Sequence, residues 1–208
     1  MSEVVAACRG VTRTYMDDSV PVHALQGVDL VVHRGEFVSL SGPSGSGKTT
    51  LLNMIGGLDR PTEGDVEVDG VKLNDLSEPQ LADLRLYKLG FVFQAYNLIP
   101  VLSARENVEF TMQLQGVAAA DRRDRALALL GALGIDDLAD RRPGELSGGQ
   151  QQRVAIARAL VTHPVLLLAD EPSANLDSVT TESLLRLLRR LNEERGITIV
   201  TATHDPLV

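Results

Sequence analysis

Three short peptides carry the groups through which this chain could do chemistry. The first, Gly42-Pro43-Ser44-Gly45-Ser46-Gly47-Lys48-Thr49, fits the pattern G-x-x-x-x-G-K-[ST] without deviation. Glycines at these spacings let backbone N–H groups turn towards an anion, and the positive end of a following helix adds to them. Such a loop, with Thr50 continuing it, cradles the phosphates of a nucleotide. Lys48 is expected to hold the β- and γ-phosphates, and Thr49 to offer its hydroxyl to Mg²⁺. The second peptide, Asp170-Glu171, ends the apolar run 165–169, where a buried strand delivers side chains to the catalytic edge of an open parallel sheet. Asp170 is expected to bind Mg²⁺ through water, and Glu171 to orient and deprotonate the attacking water, which supplies about 10²- to 10⁴-fold in rate. The third, Leu146-Ser147-Gly148-Gly149-Gln150, contains an S-x-x-Q capping box opening a helix over residues 151–160. A capped helix whose first turn carries Gly-Gly exposes N–H groups to an anion, and Ser147 can add its hydroxyl.

These groups need elements to hold them. Residues 4–40 are rich in Val, with turns at Gly27 and Arg34-Gly35, and predict a small antiparallel sheet feeding a strand at 36–40. After the Gly-rich loop, Leu51, Leu52 and Ile55 recur at helical spacing until Gly56-Gly57 stops the helix. Short strands are predicted near 65–68 and 71–73, with Asp69-Gly70 as a hairpin turn between them. A strand at 91–93 gives way to a mostly helical region at about 104–160, interrupted by Gly116, Gly134 and Pro143-Gly144. Leu127, Leu130 and Leu133 mark one amphipathic face of it, so a helical lobe is expected to be inserted in an α/β core. The core resumes at 165–169, a run typical of a strand buried on both faces, and again at 197–200.

At 208 residues the chain suits one domain, with room for two lobes and a substantial core. No apolar run approaches the ~20 residues of a membrane helix, and no basic, apolar leader opens the sequence, so a soluble cytosolic protein is expected. The single cysteine, Cys8, excludes an internal disulfide framework and reads as a small packing residue. The net charge of −8 argues against a nucleic-acid partner. The pairs Arg122-Arg123 and Arg189-Arg190 read as solvated faces.

Together the three peptides resemble the ATP-binding cassette (ABC) ATPases. Leu146 to Gln150 is similar to the signature of that family, and the flanking Gln151-Gln152-Arg153 and Ala155-Ile156-Ala157-Arg158-Ala159-Leu160 extend the likeness. The resemblance covers essentially the whole chain. It implies an α/β fold: a P-loop NTPase core of ABC type at about 1–94 and 161–208, with an N-terminal antiparallel β-subdomain, and a helical subdomain inserted at about 95–160. It also implies that Ser147, Gly148, Gly149 and Gln150 contact ATP bound by a second copy of the domain. Gln94 resembles the Q-loop glutamine that reaches Mg²⁺ and hinges the helical lobe. His204 resembles the switch histidine at the γ-phosphate, Asp177 the D-loop aspartate at the dimer interface, and Tyr15 the aromatic that stacks on adenine.

Finer likeness lies in Gly56-Gly57-Leu58-Asp59-Arg60-Pro61-Thr62, in the stretch from Gly90 to Pro100, and in Glu106-Asn107-Val108. These are similar to the macrolide-exporter and lipoprotein-releasing subfamily (MacB and LolD types), whose ATPase subunits work with FtsX-like permeases. The implied place is cytoplasmic, on the inner face of the cell membrane through that permease. Tyr96, Leu98, Ile99 and Pro100 form an apolar cluster after the Gln94 hinge and are expected to belong to the permease-docking groove. Ser173 and Ala174 depart from the residues usual in the subfamily, without removing a catalytic group, and Asp205-Pro206 reads as a helix start. A cell-division ATPase of the FtsE type is a close alternative. A soluble non-transport ABC ATPase is a more distant one: about a hundred residues separate the P-loop from the signature, no heptad run is visible, and each motif occurs once.

Overall fold

The computed structural model describes residues 3–18 and 20–203. His204 and Asp205-Pro206 lie outside the described residues. The chain opens with two long strands, β1 (Val4–Asp17) and β2 (Val20–His33), which pair antiparallel. β4 (Glu63–Val68) pairs with β1, and β5 (Val71–Lys72) pairs with β4, giving the sheet order β2-β1-β4-β5. The hairpin between β4 and β5 turns at Asp69 and Gly70, both at positive φ (51° and 75°), as a type I′ turn requires.

The second sheet is parallel throughout, in the order β3-β8-β7-β6. Its strands are β3 (Phe37–Ser41), β6 (Leu89–Val92), β7 (Leu166–Asp170) and β8 (Ile199–Thr203). Two of them sit off their predicted places. β6 starts two residues before the expected 91–93 because Leu89 and Gly90 pair with Leu166 and Leu167. β8 starts two residues after the expected 197 because Asn192 Nδ2 takes the Ile197 carbonyl at 2.7 Å, outside the ladder.

β7 is interior, and its alternation divides the core. Leu166 and Leu168 join a cluster with Leu51, Leu52, Met54 and Ile55 of α1 (Lys48–Ile55) and with the antiparallel sheet. Leu167 and Ala169 face a second cluster built with α3 (Ala104–Leu114), α4 (Ala119–Ala132), α5 (Gly148–Leu160) and α6 (Ser178–Arg195). The continuous apolar run is therefore a strand buried on both faces.

A helix that periodicity had not marked, α2 (Glu78–Lys88), precedes β6. Its start follows Ser77, whose amide donates to Gln80 Oε1 at 2.9 Å, with Pro79 in the first turn and Leu81 and Leu84 buried. Strand β6 is hemmed in on two sides. A Cβ on Gly90 would lie 2.5 Å from the Ala159 carbonyl of α5, and one on Gly56, after α1, would lie 2.7 Å from the Phe91 ring. Cys8 is buried in the antiparallel sheet, and desolvation pushes its thiol pKa up to about 12. No helix among the described residues is long and apolar enough to cross a membrane.

Candidate functional site

The Gly-rich loop joins β3 to α1 and lines a cavity of ~530 Å³. Gly42, Gly45 and Gly47 stand at φ of 156°, 79° and 87°, where side chains are strained. Gly47 has a second reason to be glycine, since a Cβ there would sit 2.4 Å from the Ala24 carbonyl of β2. It caps α1 with no side-chain hydrogen bond, and the first turn carries no acidic residue. The N–H groups of that turn are thus left to an anion. Ser44 to Thr50 line the cavity together with Gln94, Glu171, Ala174 and three residues of β2, Val22, His23 and Ala24. Gly42 and Pro43 act from behind: their carbonyls accept from Lys48 Nζ at 2.8 and 3.0 Å.

Across the cavity, β7 ends on Asp170 and hands Glu171 to the same space. Thr49 Oγ1 donates to Asp170 Oδ1 at 2.9 Å, joining two oxygens that are 121 residues apart in sequence. Burial holds the Asp170 carboxyl above its usual range, the Thr49 hydrogen bond opposes the shift, and neighbouring Glu171 adds to it. Glu171 lies 3.8 Å from Lys48 Nζ. It is held at φ 46°, with its amide donating to the Ala202 carbonyl of β8 at 2.9 Å. A non-glycine residue at positive φ costs of order 1–3 kcal/mol, which the surrounding sheet must sustain.

The signature peptide is placed elsewhere. Ser147 caps α5: its Oγ accepts from the Gln150 amide at 3.3 Å, and Gln150 Oε1 accepts from the Ser147 amide at 2.8 Å. None of Ser147, Gly148, Gly149 and Gln150 lines the P-loop cavity. The glycines are packing requirements as well. A Cβ on Gly148 would lie 2.9 Å from the Tyr96 hydroxyl oxygen, and one on Gly149 would lie 2.6 Å from Thr180 Cγ2. Asp177 has a local role: it caps α6, accepting from the Thr180 amide at 2.9 Å and the Thr180 hydroxyl at 2.7 Å, and these bonds lower its pKa.

Tyr15 is not among the cavity residues. Its hydroxyl donates to Asp59 Oδ2 at 2.7 Å, and the Arg13 guanidinium, ion-paired to Asp59 at 2.9 Å, lies 4.4 Å from the ring centroid. One ring face is thereby occupied by a cation. Gln94 does line the cavity, and its carbonyl accepts from Asn175 Nδ2 at 2.9 Å. The expected apolar cluster after it divides. Leu98 packs against the helical core, Pro100 is exposed, Tyr96 is half-buried, and Ile99 lines an apolar groove of ~370 Å³ with Phe91, Phe93 and Phe110. Asn107 holds this segment from the core, with its side chain accepting from the Ile99 amide at 2.8 Å and donating to the Ile99, Leu102 and Ser103 carbonyls.

Sequence alone assigns no individual role to His23, Asp59, Gln152, Arg158 or Asn175, although Asp59, Gln152 and Arg158 lie within stretches that resemble the family. Gln152 is fully buried on α5 and donates to the Pro172 carbonyl at 2.7 Å, one residue beyond Glu171. A glutamine on the apolar side of a helix was the available signal.

Residues 25–174 match the protein family described as ABC transporter. The ABC transporter ATP-binding protein MJ0796 of Methanocaldococcus jannaschii is 50% identical over 201 residues, which cover 95% of this chain and 86% of that protein. The macrolide export ATP-binding/permease protein MacB of Syntrophobacter fumaroxidans is 52% identical over 200 residues, so the chain spans only 28% of that relative's length. Among solved structures, a dimeric structure of MJ0796, a bacterial ABC transporter cassette, has a TM-score of 0.89 at 49% identity, covering 96% of this chain and 88% of its own. A dimeric post-hydrolysis state of the same cassette, bound to ADP and Pi, matches with the same score. With a Gly-rich loop facing two strand-end carboxylates and a capped Ser-Gly-Gly-Gln helix start outside their cavity, the chain belongs to the ABC transporter family, as an ATP-binding cassette of its ATPase type.

Proposed function

We propose that this cassette is the ATP-hydrolysing subunit of a transporter, that it dimerises on binding ATP, and that it drives a conformational change in a membrane permease of MacB or LolD (FtsX-like) type. One observation carries the reading. Two helix starts fitted to an anion lie on one chain, yet only that of α1 opens into the cavity. A second copy would complete the site by bringing its Ser147, Gly148, Gly149 and Gln150 to the nucleotide held by Gly42 to Thr50 of the first. The dimeric cassette structures of MJ0796 support the dimer.

Within that site, Lys48 neutralises charge on the β- and γ-phosphates. Glu171 orients the attacking water and accepts its proton, His204 contacts the γ-phosphate, and Tyr15 offers a ring to adenine. Thr49, Asp170 and Gln94 are the residues that would hold Mg²⁺. They fit a hard cation: all three offer oxygen, and the hydrogen bond between Thr49 and Asp170 already pairs two of the donors. Among the described residues no group of three or more His, Cys, Asp or Glu side chains could hold a metal, in keeping with a Mg²⁺ site completed by substrate phosphates. When bound, the ion supplies charge neutralisation across the transferring phosphoryl group.

The apolar groove beside Ile99 is where the permease would seat, which would place the cassette peripherally on the inner face of the cell membrane. The helical lobe, about residues 95–160, would move with it relative to the core at 1–94 and 161–208. The acidic net charge supports a reading without nucleic acid. Size-exclusion chromatography tests the central step: the Glu171→Gln variant should run as a dimer with MgATP and as a monomer without it. A strictly monomeric, ATP-bound Glu171→Gln protein would refute the sandwich.

A further inference from the structure

Arg158 lies at the edge of the apolar groove, and burial lowers the pKa of its guanidinium. Its hydrogen bonds go to main-chain carbonyls, from Nη1 to Asn97 O at 2.5 Å and from Nη2 to Tyr96 O at 2.9 Å. Among the described residues it forms no ion pair. The two carbonyls belong to consecutive non-glycine residues at positive φ, 58° for Tyr96 and 49° for Asn97. This is a conformation that side chains disfavour. Two residues earlier, Asn175 Nδ2 holds the Gln94 carbonyl. The turn from Gln94 to Asn97 is therefore gripped at both ends by side chains from other elements, while Gln94 itself lines the cavity of the Gly-rich loop.

We propose that Arg158 is a positioning residue for hydrolysis: by holding the carbonyls of Tyr96 and Asn97 it fixes the left-handed turn that sets where Gln94 stands in the cavity. The proposal rests on the assignment of Gln94 to the Mg²⁺ site made above. A planar guanidinium can serve both carbonyls at once, whereas a lysine would present a single point of charge. Relaxing the turn would displace Gln94 without touching the phosphate loop, and a misplacement of about 1 Å can cost about 10²-fold in rate.

The test measures steady-state ATPase activity and calorimetric ATP affinity on the full chain. Arg158→Met should lower kcat by about 10- to 100-fold and leave ATP affinity within about threefold, and Arg158→Lys should fall between it and wild type. Arg158→Met combined with Gln94→Ala should be no slower than the slower single variant, because both act on one group. Asn97→Gly should restore much of the lost kcat in the Arg158→Met background, since glycine takes positive φ without a clamp. A merely structural arginine would not be rescued in this way. Losses that multiply in the double variant, a failed rescue by Asn97→Gly, or unchanged kcat in Arg158→Met beside an impaired Gln94→Ala would each overturn the positioning role. Wild-type kcat in Gln94→Ala would instead remove the assignment of Gln94, and the proposal with it. If Arg158→Met does not fold, Arg158→Lys with and without Asn97→Gly carries the same comparison.

Discussion

Replacing Gly149 by alanine would put a methyl group 2.6 Å from Thr180 Cγ2. Thr180 cannot turn aside cheaply. It is β-branched, and its hydroxyl and amide are both committed to the Asp177 carboxylate, at 2.7 and 2.9 Å. Overpacking of this kind costs about 1–3 kcal/mol. Against it, alanine gains about 0.5–1 kcal/mol over glycine in a helix, so the single variant should lose about 0–2.5 kcal/mol. Thr180→Ser keeps the hydroxyl that bonds Asp177 and removes the offending methyl. In the double variant the clash disappears and the helical gain remains, which predicts a coupling of about 1–3 kcal/mol between the two positions. Urea unfolding of the four proteins, with equal m-values, would measure it. Coupling within about 0.3–0.5 kcal/mol of zero, the range of independent sites, would refute the claim that the second signature glycine is required by the start of α6.

Lys48→Ala should weaken ATP binding by about 10- to 150-fold, the worth of about 1.5–3 kcal/mol for a hydrogen bond to a charged group; unchanged affinity by calorimetry would remove Lys48 from the phosphates. Tyr15→Phe loses only the bond to the Asp59 carboxylate, so KM for ATP should rise, by up to about 10- to 150-fold, with kcat at saturation preserved. A fall in kcat at constant KM would contradict an adenine platform. Asp177 is stabilised as a carboxylate by Thr180, which depresses its pKa in the folded state. Its cap is therefore fully present above the ordinary aspartate pKa and is lost as pH falls through the depressed one. The stability advantage of wild type over Asp177→Asn should shrink on acidification; an advantage that grew would reverse the sign.

What was legible in the sequence was local. The Gly-rich loop, the Ser147–Gln150 box and the Asp69-Gly70 turn each state their requirement within eight residues, and each takes the expected form here. The α2 helix was equally local: Ser77, Pro79 and Gln80 spelled its start, but only Leu81 and Leu84 mark its buried side, too few to show a period. The edges of β6 and β8 were not legible, because register follows from the neighbouring strand. Nor were the bonds that hold the site together. Arg158 to Asn97 spans 61 residues and Asn175 to Gln94 spans 81, so those residues acquire their roles only once the sheet has brought α5 and the turn after β7 beside β6.

The two close approaches around β6 give this strand a mechanical property. With a carbonyl of α5 against Gly90 and an aromatic ring of its own pressed on Gly56 at the end of α1, the strand has no slack on either side. Close-packed contacts of this kind transmit displacement rather than absorb it. A force applied at the groove wall would therefore reach the C-terminal end of α1 as a rigid push, and the turn that leaves β6 at Gln94, clamped by Arg158 and Asn175, would carry it on to the cavity. Stiffness in the strand and in the clamped turn after it makes this edge of the sheet a lever that ends at the cavity Gln94 lines.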